Sequence, residues 1–192
     1  MNPGYDTALS LAYEKLALLT PEEVCERSGA RYSDGEYYLR WMSHEKALSQ
    51  ASKAHQIVWL HYMTAQGVKK PSGELMPYRN APGGAHFYDA NFTKRTIKPF
   101  VKTFGSDPES LLKVGEAFGA QKVSNGDSSI TINVLPYMPI TYIVWSGDEE
   151  FEPTGSVLFD KTAKSWLCAE DLVIVASFSV YELIGYKKSK LK

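Results

Sequence analysis

Four histidines, His44, His55, His61 and His86, are the side chains of this sequence best suited to bind a metal or move a proton near neutral pH. His55 and His61 stand six positions apart, whereas two ligands on one helix face stand three or four apart, and no H-E-x-x-H motif is present. A zinc site is therefore not predicted. One histidine is enough as the axial ligand of a tetrapyrrole metal, because the macrocycle supplies the other ligands. His61 and His86 are the candidates for that role, and a hydrogen-bonded structural histidine is the alternative for each.

The segment 82–88, Pro-Gly-Gly-Ala-His-Phe-Tyr, is a candidate ligand-binding loop. Gly83 and Gly84 permit close approach of the backbone to a ligand, and backbone N–H groups there could cradle an anion. The segment lacks the Gly-Lys-Ser/Thr of a P-loop and the third glycine of a dinucleotide-binding fingerprint. A tight turn into a short helix is the alternative interpretation.

Charge is distributed unevenly along the chain. Residues 145–171 contain seven acidic residues and two lysines, whereas residues 66–105 contain seven Lys or Arg and two acidic residues. Among the acidic residues, Asp148, Glu149 and Glu170 could perform acid–base catalysis together with His86 if they converge in one pocket. Two alternatives are an exposed hairpin turn with solvated carboxylates and an acidic face that docks a partner protein.

Composition excludes several classes of protein. The chain has 192 residues and a formal net charge of -1, which argues against nucleic acid or an anionic membrane as its main partner. Two cysteines, Cys25 and Cys168, are too few for an intrinsic iron–sulfur cluster. No signal peptide or membrane-spanning segment is recognisable, so a cytoplasmic location is expected. The 12 Tyr, 8 Phe and 4 Trp suit an aromatic-lined site.

Hydrophobic periodicity and turn residues predict both helices and strands. Thr20-Pro21-Glu22-Glu23 has the pattern of a capping box, and Asp34-Gly35 that of a hairpin turn. Further helices are predicted over residues 5–19, 52–66, 93–104, 108–118 and 172–184, and strands over 129–135, 140–145 and 156–159. Residues 68–92 are predicted to form a long ordered loop with one short strand near 74–78.

These elements predict one α+β domain over residues 1–186, with an antiparallel sheet of about five or six strands packed with several helices. The basic segment 187–192 is predicted to be a solvated, frayed tail. The oligomeric state is left open.

Three segments together resemble an uncharacterised domain family of anaerobic bacteria and archaea. They are PSGELMPYRNAPGGAHFYDANF, LPYMPITYIVWSGDEEFEPTGSVLFD and WLCAEDLVIVA. The resemblance runs from Tyr5 to about Ala176. Some relatives look like fusions with a four-cysteine iron–sulfur domain of the type found in corrinoid iron–sulfur proteins. The resemblance therefore implies anaerobic metabolism, and an iron–sulfur or corrinoid protein as a partner.

The leading hypothesis is a cytoplasmic accessory protein that binds a corrinoid, such as cobalamin, or a related tetrapyrrole, such as haem. The loop 74–92 packed against the aromatic strands would form the site, and whether the protein is also an enzyme is left open. In this hypothesis aromatic rings cover the macrocycle, glycines allow its approach, an arginine pairs with its peripheral carboxylates and a histidine ligates the metal. The aromatic rings are those of Tyr78, Phe87, Tyr88 and Trp145, and the glycines are Gly83 and Gly84. The arginine is Arg79, and the histidine is His61 or His86.

Overall fold

A computed structural model of the protein describes residues 3–191 and contains both helices and antiparallel strands, which confirms the α+β class. The α-helices are α1 (Pro3–Leu16), α2 (Pro21–Ser28), α3 (Lys53–Thr64), α4 (Ala85–Phe92), α5 (Lys98–Phe104), α6 (Glu109–Ala117) and α7 (Ala169–Lys190). The strands are β1 (Arg31–Ser33), β2 (Glu36–Trp41), β3 (His44–Ala47), β4 (Leu75–Pro77), β5 (Gln121–Lys122), β6 (Ser128–Leu135), β7 (Met138–Trp145) and β8 (Thr154–Asp160).

The strands form two antiparallel sheets. The larger sheet has five strands in the order β4-β8-β7-β6-β5, and the smaller one has three in the order β1-β2-β3. The five-stranded sheet agrees with the predicted size, but the predicted hairpin at Asp34-Gly35 belongs to the separate small sheet. A backbone hydrogen bond of 2.9 Å from Met42 N to Val134 O connects the small sheet to β6.

The local signals near the N-terminus are confirmed. The Thr20 hydroxyl accepts a hydrogen bond from Glu23 N at 3.3 Å, and the Glu23 carboxylate accepts one from Thr20 N at 2.8 Å. This reciprocal capping starts α2 after Pro21. Asp34 and Gly35 have φ values of 52° and 80°, which are the left-handed conformations that a tight two-residue hairpin requires.

Helix α7 is the central element of the core. Many of its apolar residues, including Leu172, Val175 and Leu183, are fully buried, and the helix packs against α3, α4, α5 and α6. The Tyr142 hydroxyl in β7 donates a 2.6 Å hydrogen bond to Ser179 Oγ, which ties α7 to the large sheet. Buried residues from Ala12 to Ile184 form one continuous cluster, and this cluster makes the chain a single domain.

Two predicted segments differ from the structure. The segment 68–92 was expected to be a loop, but its last part forms α4, of which Ala85 and Phe92 are buried. The basic tail was expected to fray from Lys187, but α7 continues through Lys190 because Lys187 is tied to Thr103 O at 2.9 Å and Asp107 at 3.1 Å. The ends of the predicted domain and tail, residues 1, 2 and 192, lie outside the described residues.

Across residues 3–191, no helix combines the length and the apolar character that crossing a membrane would require.

Candidate functional site

One histidine candidate, His61, is held by a buried carboxylate. His61 lies in the last turn of α3, and its Nδ1 is 2.8 Å from Oδ2 of Asp171 in the first turn of α7. The Asp171 residue is only 5% exposed, whereas a third of the His61 side chain is accessible. An ionised carboxylate can only accept hydrogen bonds, so Nδ1 carries the proton in this pair. In the neutral imidazole the second ring nitrogen, Nε2, is then left as an acceptor or a metal ligand.

Cys168 completes a cluster of three side chains with this pair. It is the residue before the first turn of α7, and its thiol donates to the same Asp171 oxygen at 3.2 Å. Burial, together with the neighbouring carboxylate of Asp171, raises the pKa of Cys168 to about 12. At neutral pH the group is therefore a thiol that donates to Asp171, and it is poorly suited to act as a nucleophile.

An open cavity of about 520 Å³ lies beside this cluster. Its walls come from the end of α1 and the following turn, from α3 and from the segment that leads into α7. Trp166 in this wall is stacked on Tyr62, with ring centroids 4.5 Å apart. The lining combines the cluster with an apolar surface and one cation, and its residues are His61, Asp171, Cys168, Thr64, Ala65, Gln66, Leu18, Leu19, Trp166 and Lys15.

Tyr78 lies in the core, on the other side of the same helix start. It is 2% exposed and stacks on Phe92 with a centroid distance of 4.3 Å. Its hydroxyl donates to the carbonyl oxygen of Ala169 at 3.2 Å, and burial, together with nearby carboxylates such as Glu170, raises its pKa to about 12. Tyr78 therefore holds α7 in place and has no free ring face with which to cover a macrocycle.

The glycine pair forms a turn into a helix, as the alternative interpretation predicted. Gly83 and Gly84 have φ values of 77° and 81°, and Gly84 caps the start of α4. Both positive φ values require the freedom of glycine. Arg79, just before this turn, pairs with Asp89 of α4 at 3.3 Å, so its guanidinium is already engaged.

The other aromatic candidates lie on two separate surfaces. Phe87 is 80% exposed and Tyr88 is 45% exposed on α4, and His86 is exposed beside Phe87. Trp145 lies at the tip of the β7–β8 hairpin, opposite Thr154. Tyr78 follows Pro77, which pairs with Leu158, so about 13 Å of strand separates Trp145 from the level of Tyr78. The structure does not bring these residues together around one ligand.

The proposed acid–base residues are also apart. Asp148 lies in the loop after β7, where its Oδ1 accepts hydrogen bonds from the backbone N atoms of Glu150 and Phe151, both at 2.8 Å. Asp148 and Glu149 are exposed, as the hairpin alternative predicted. Glu170 lies at the start of α7, beyond the opposite end of β8, and a strand of that length spans about 20 Å. His86 belongs to a third element, α4.

Asp171 and Cys168 were not predicted as partners of His61. A weak signal is present, because residues three apart at a helix start can meet through their side chains, and Cys168 and Asp171 have that spacing. Nothing local connects them to His61, which lies 110 positions before Asp171. Within the part of the chain that the structure describes, no group of three or more His, Cys, Asp or Glu side chains could hold a metal ion.

The high pKa of Cys168 predicts slow alkylation despite the exposed position of this residue. At about pH 8 we expect iodoacetamide to modify Cys168 on the order of a hundredfold more slowly than a thiol of ordinary pKa, because only the thiolate reacts and its greater nucleophilicity offsets part of its scarcity. The D171N variant removes a neighbouring negative charge and should react faster. Peptide mass spectrometry of quenched time points measures both rates, and the urea-unfolded protein is the control. Equal rates in the folded and unfolded protein would contradict the assignment.

A family model described as "Domain of unknown function (DUF3786)" matches residues 20–182. No curated protein and no solved structure matches the chain.

Proposed function

The chain belongs to this family of unknown function, and we propose that it binds a corrinoid or a related tetrapyrrole whose metal is ligated by Nε2 of His61. The observation that carries the proposal is the 2.8 Å hydrogen bond between His61 Nδ1 and the buried carboxylate of Asp171. Histidines that ligate metals commonly donate their other ring N–H to a carboxylate, which fixes the tautomer and the ring orientation and raises the basicity of the ligand.

The donor set fits a metal that brings most of its ligands with it. His61 contributes one imidazole, and its neighbours Asp171 and Cys168 are already hydrogen-bonded to each other. A tetrapyrrole requires only one or two axial ligands from the protein. The thiol of Cys168 donates to the same carboxylate oxygen, Oδ2, so this Asp171 oxygen accepts from both Cys168 and His61.

The cavity provides surfaces that suit the two parts of such a ligand. Leu18 is 83% exposed, and together with the half-buried Leu19 and Ala65 it offers apolar area for a macrocycle face. Lys15 in the same lining can pair with a peripheral carboxylate or phosphate. When bound, a corrinoid supplies metal-centred group-transfer or electron-transfer chemistry. The residues of this chain bind it, orient it and hold the imidazole proton on Nδ1.

This proposal favours His61 over His86 and moves the site away from the 74–92 loop. His86 is exposed on α4 beside Phe87, and no carboxylate orients it in the described part of the chain. The exposed rings of Phe87 and Tyr88 lie on α4, a helix that packs against α7, and are available to a partner protein. We propose a cytoplasmic role in anaerobic metabolism, with an iron–sulfur or corrinoid protein as that partner.

Titration of the purified apo-protein with cobalamin, and separately with haem, tests the proposal. We expect a change in the visible spectrum and measurable heat in calorimetry at micromolar cofactor. The H86A variant is a matched control, because it removes a histidine that the proposal leaves free, and it should bind like the wild type. No spectral change and no heat at high micromolar concentration of either cofactor would contradict the proposal.

Acid–base catalysis by the same pair is a second candidate function. The carboxylate that would orient His61 as a metal ligand would equally orient it as a general base, with Nε2 towards a substrate in the cavity. The cofactor titration separates the two candidates, because a general base gives no change in a cofactor spectrum.

A further inference from the structure

We propose that two copies of this chain associate through a loop on one copy and a cavity on the other. The loop is residues 146–153 between β7 and β8, called here the acidic loop. The cavity lies between α5 and the C-terminal half of α7 and is called here the basic cavity. Each copy contributes one loop and one cavity. A two-fold axis that relates the copies would therefore place each loop in the other copy's cavity.

The acidic loop is ordered and presents an aromatic side chain. Asp148 N donates to Phe151 O at 2.9 Å, and Asp148 Oδ1 accepts from the backbone N atoms of Glu150 and Phe151. These bonds close a tight turn on which Phe151 is 69% exposed. Glu149 and Glu150 beside it are also exposed. An exposed phenylalanine on a fixed turn between two carboxylates is suited to enter an apolar cavity with a cationic rim.

The basic cavity has that character. Its volume is about 440 Å³, and Pro99, Tyr181 and Ile184 contribute apolar surface to it. Lys102 and Lys188 lie at its rim and are exposed. The opposite charges of the rim and the acidic loop would steer the two copies together and fix their register.

The charges of the two surfaces lack ion-pair partners within the described part of one chain, apart from Lys187 of the basic cavity, which pairs with Asp107. The six ion pairs found among residues 3–191 include none of Lys102, Lys188, Glu149 and Glu150. Lys98 and Lys102 are also four residues apart on one helix, a spacing at which like charges destabilise the helix. An anionic surface from outside the chain would relieve this repulsion.

A second copy is the occupant that the arrangement favours. Lys102 lines the basic cavity and also a neighbouring cavity of about 520 Å³, which Glu152 of the acidic loop lines as well. The loop and the basic cavity are therefore neighbours on one side of the molecule. When complementary surfaces lie side by side, a two-fold axis between them places each loop on the other copy's cavity and closes the assembly.

Sedimentation velocity of the full chain in low-salt buffer tests the dimer. We expect the mass of two 21.5 kDa chains at high micromolar concentration, and dissociation when salt is raised, because salt screens exposed charges. The F151A variant and the charge-reversed variants K102E/K188E and E149K/E150K should each associate at least about 100-fold more weakly. An equimolar mixture of the two charge-reversed variants should regain the two-chain mass.

The K122E/K164E variant is the matched control. Lys122 and Lys164 are exposed and line neither cavity, and their reversal changes the net charge equally, so the dimer should persist. Circular dichroism checks that every variant is folded. A wild-type mass of one chain at low salt would overturn the proposal, and so would masses that grow without limit or a dimer that both charge reversals leave intact.

Discussion

Replacing Asp160 by alanine is expected to lower the free energy of unfolding by about 3 kcal/mol, because a buried carboxylate that accepts hydrogen bonds from five donor groups would be lost. The Asp160 residue is 2% exposed. Its carboxylate accepts hydrogen bonds from the backbone N atoms of Ser72, Gly73 and Thr162, at 3.0, 2.7 and 2.8 Å respectively. It also accepts from the hydroxyls of Ser72 and Thr162. Asp160 thereby fastens the segment before β4 to the end of β8.

Denaturant unfolding followed by circular dichroism measures this loss. The D148A variant is the matched control, because Asp148 also accepts two backbone N–H groups but lies on an exposed loop. Water can replace that carboxylate, so its loss should cost less than about 1 kcal/mol. Equal destabilisation by D160A and D148A would contradict the role assigned to burial at Asp160.

Asp160 also gives the stability a defined dependence on pH. Burial alone would raise the pKa of this carboxyl, but the hydrogen bonds from Thr162, Ser72 and Gly73 outweigh burial and lower the pKa. A carboxyl whose folded pKa is depressed stabilises the protein fully above its unfolded pKa of about 3.9. The contribution disappears as pH falls through the folded pKa. The D160N variant should therefore lose less stability than the wild type between neutral and acidic pH.

Replacing His61 by alanine is expected to weaken cobalamin binding at least about 100-fold and to abolish the ligand-dependent spectral change, because no other imidazole is held beside this cavity. The D171N variant keeps the imidazole but weakens its orientation, so a loss of about 10- to 100-fold is expected. Calorimetric titration of the wild type, H61A and D171N gives the affinities. His61 is a third exposed, so H61A should remain folded. Wild-type affinity in H61A would contradict ligation by this residue.

Parts of the fold with local causes were predictable from sequence. The capping box at Thr20 and Glu23 and the turn at Asp34-Gly35 depend on residues close in the chain, and both were correct. Helix α4 was predicted only as the alternative to a loop, because its exposed Phe87 and Tyr88 hide the buried face formed by Ala85 and Phe92. An apolar residue on the solvent side removes the polar–apolar contrast on which periodicity depends.

The candidate site was predictable only in part. His61 was predicted from the sequence as a possible metal ligand, because an imidazole side chain is sufficient ground for that prediction. Its partner Asp171 depends on how α3 packs against α7, a contact between distant parts of the chain. The predicted aromatic site failed to assemble for the same reason, since the stacking of Tyr78 on Phe92 and the position of Trp145 on the hairpin tip are set by tertiary packing.

The most direct test of ligation by His61 is electron paramagnetic resonance of cobalamin in its Co(II) form, mixed with protein whose histidines carry ¹⁵N. An axial nitrogen splits the cobalt lines, into triplets when it is ¹⁴N and into doublets when it is ¹⁵N. Ligation by His61 predicts doublets with the labelled wild type and none with labelled H61A. Triplets from the labelled wild type would show that the cofactor keeps its own unlabelled base, and they would contradict the proposed site.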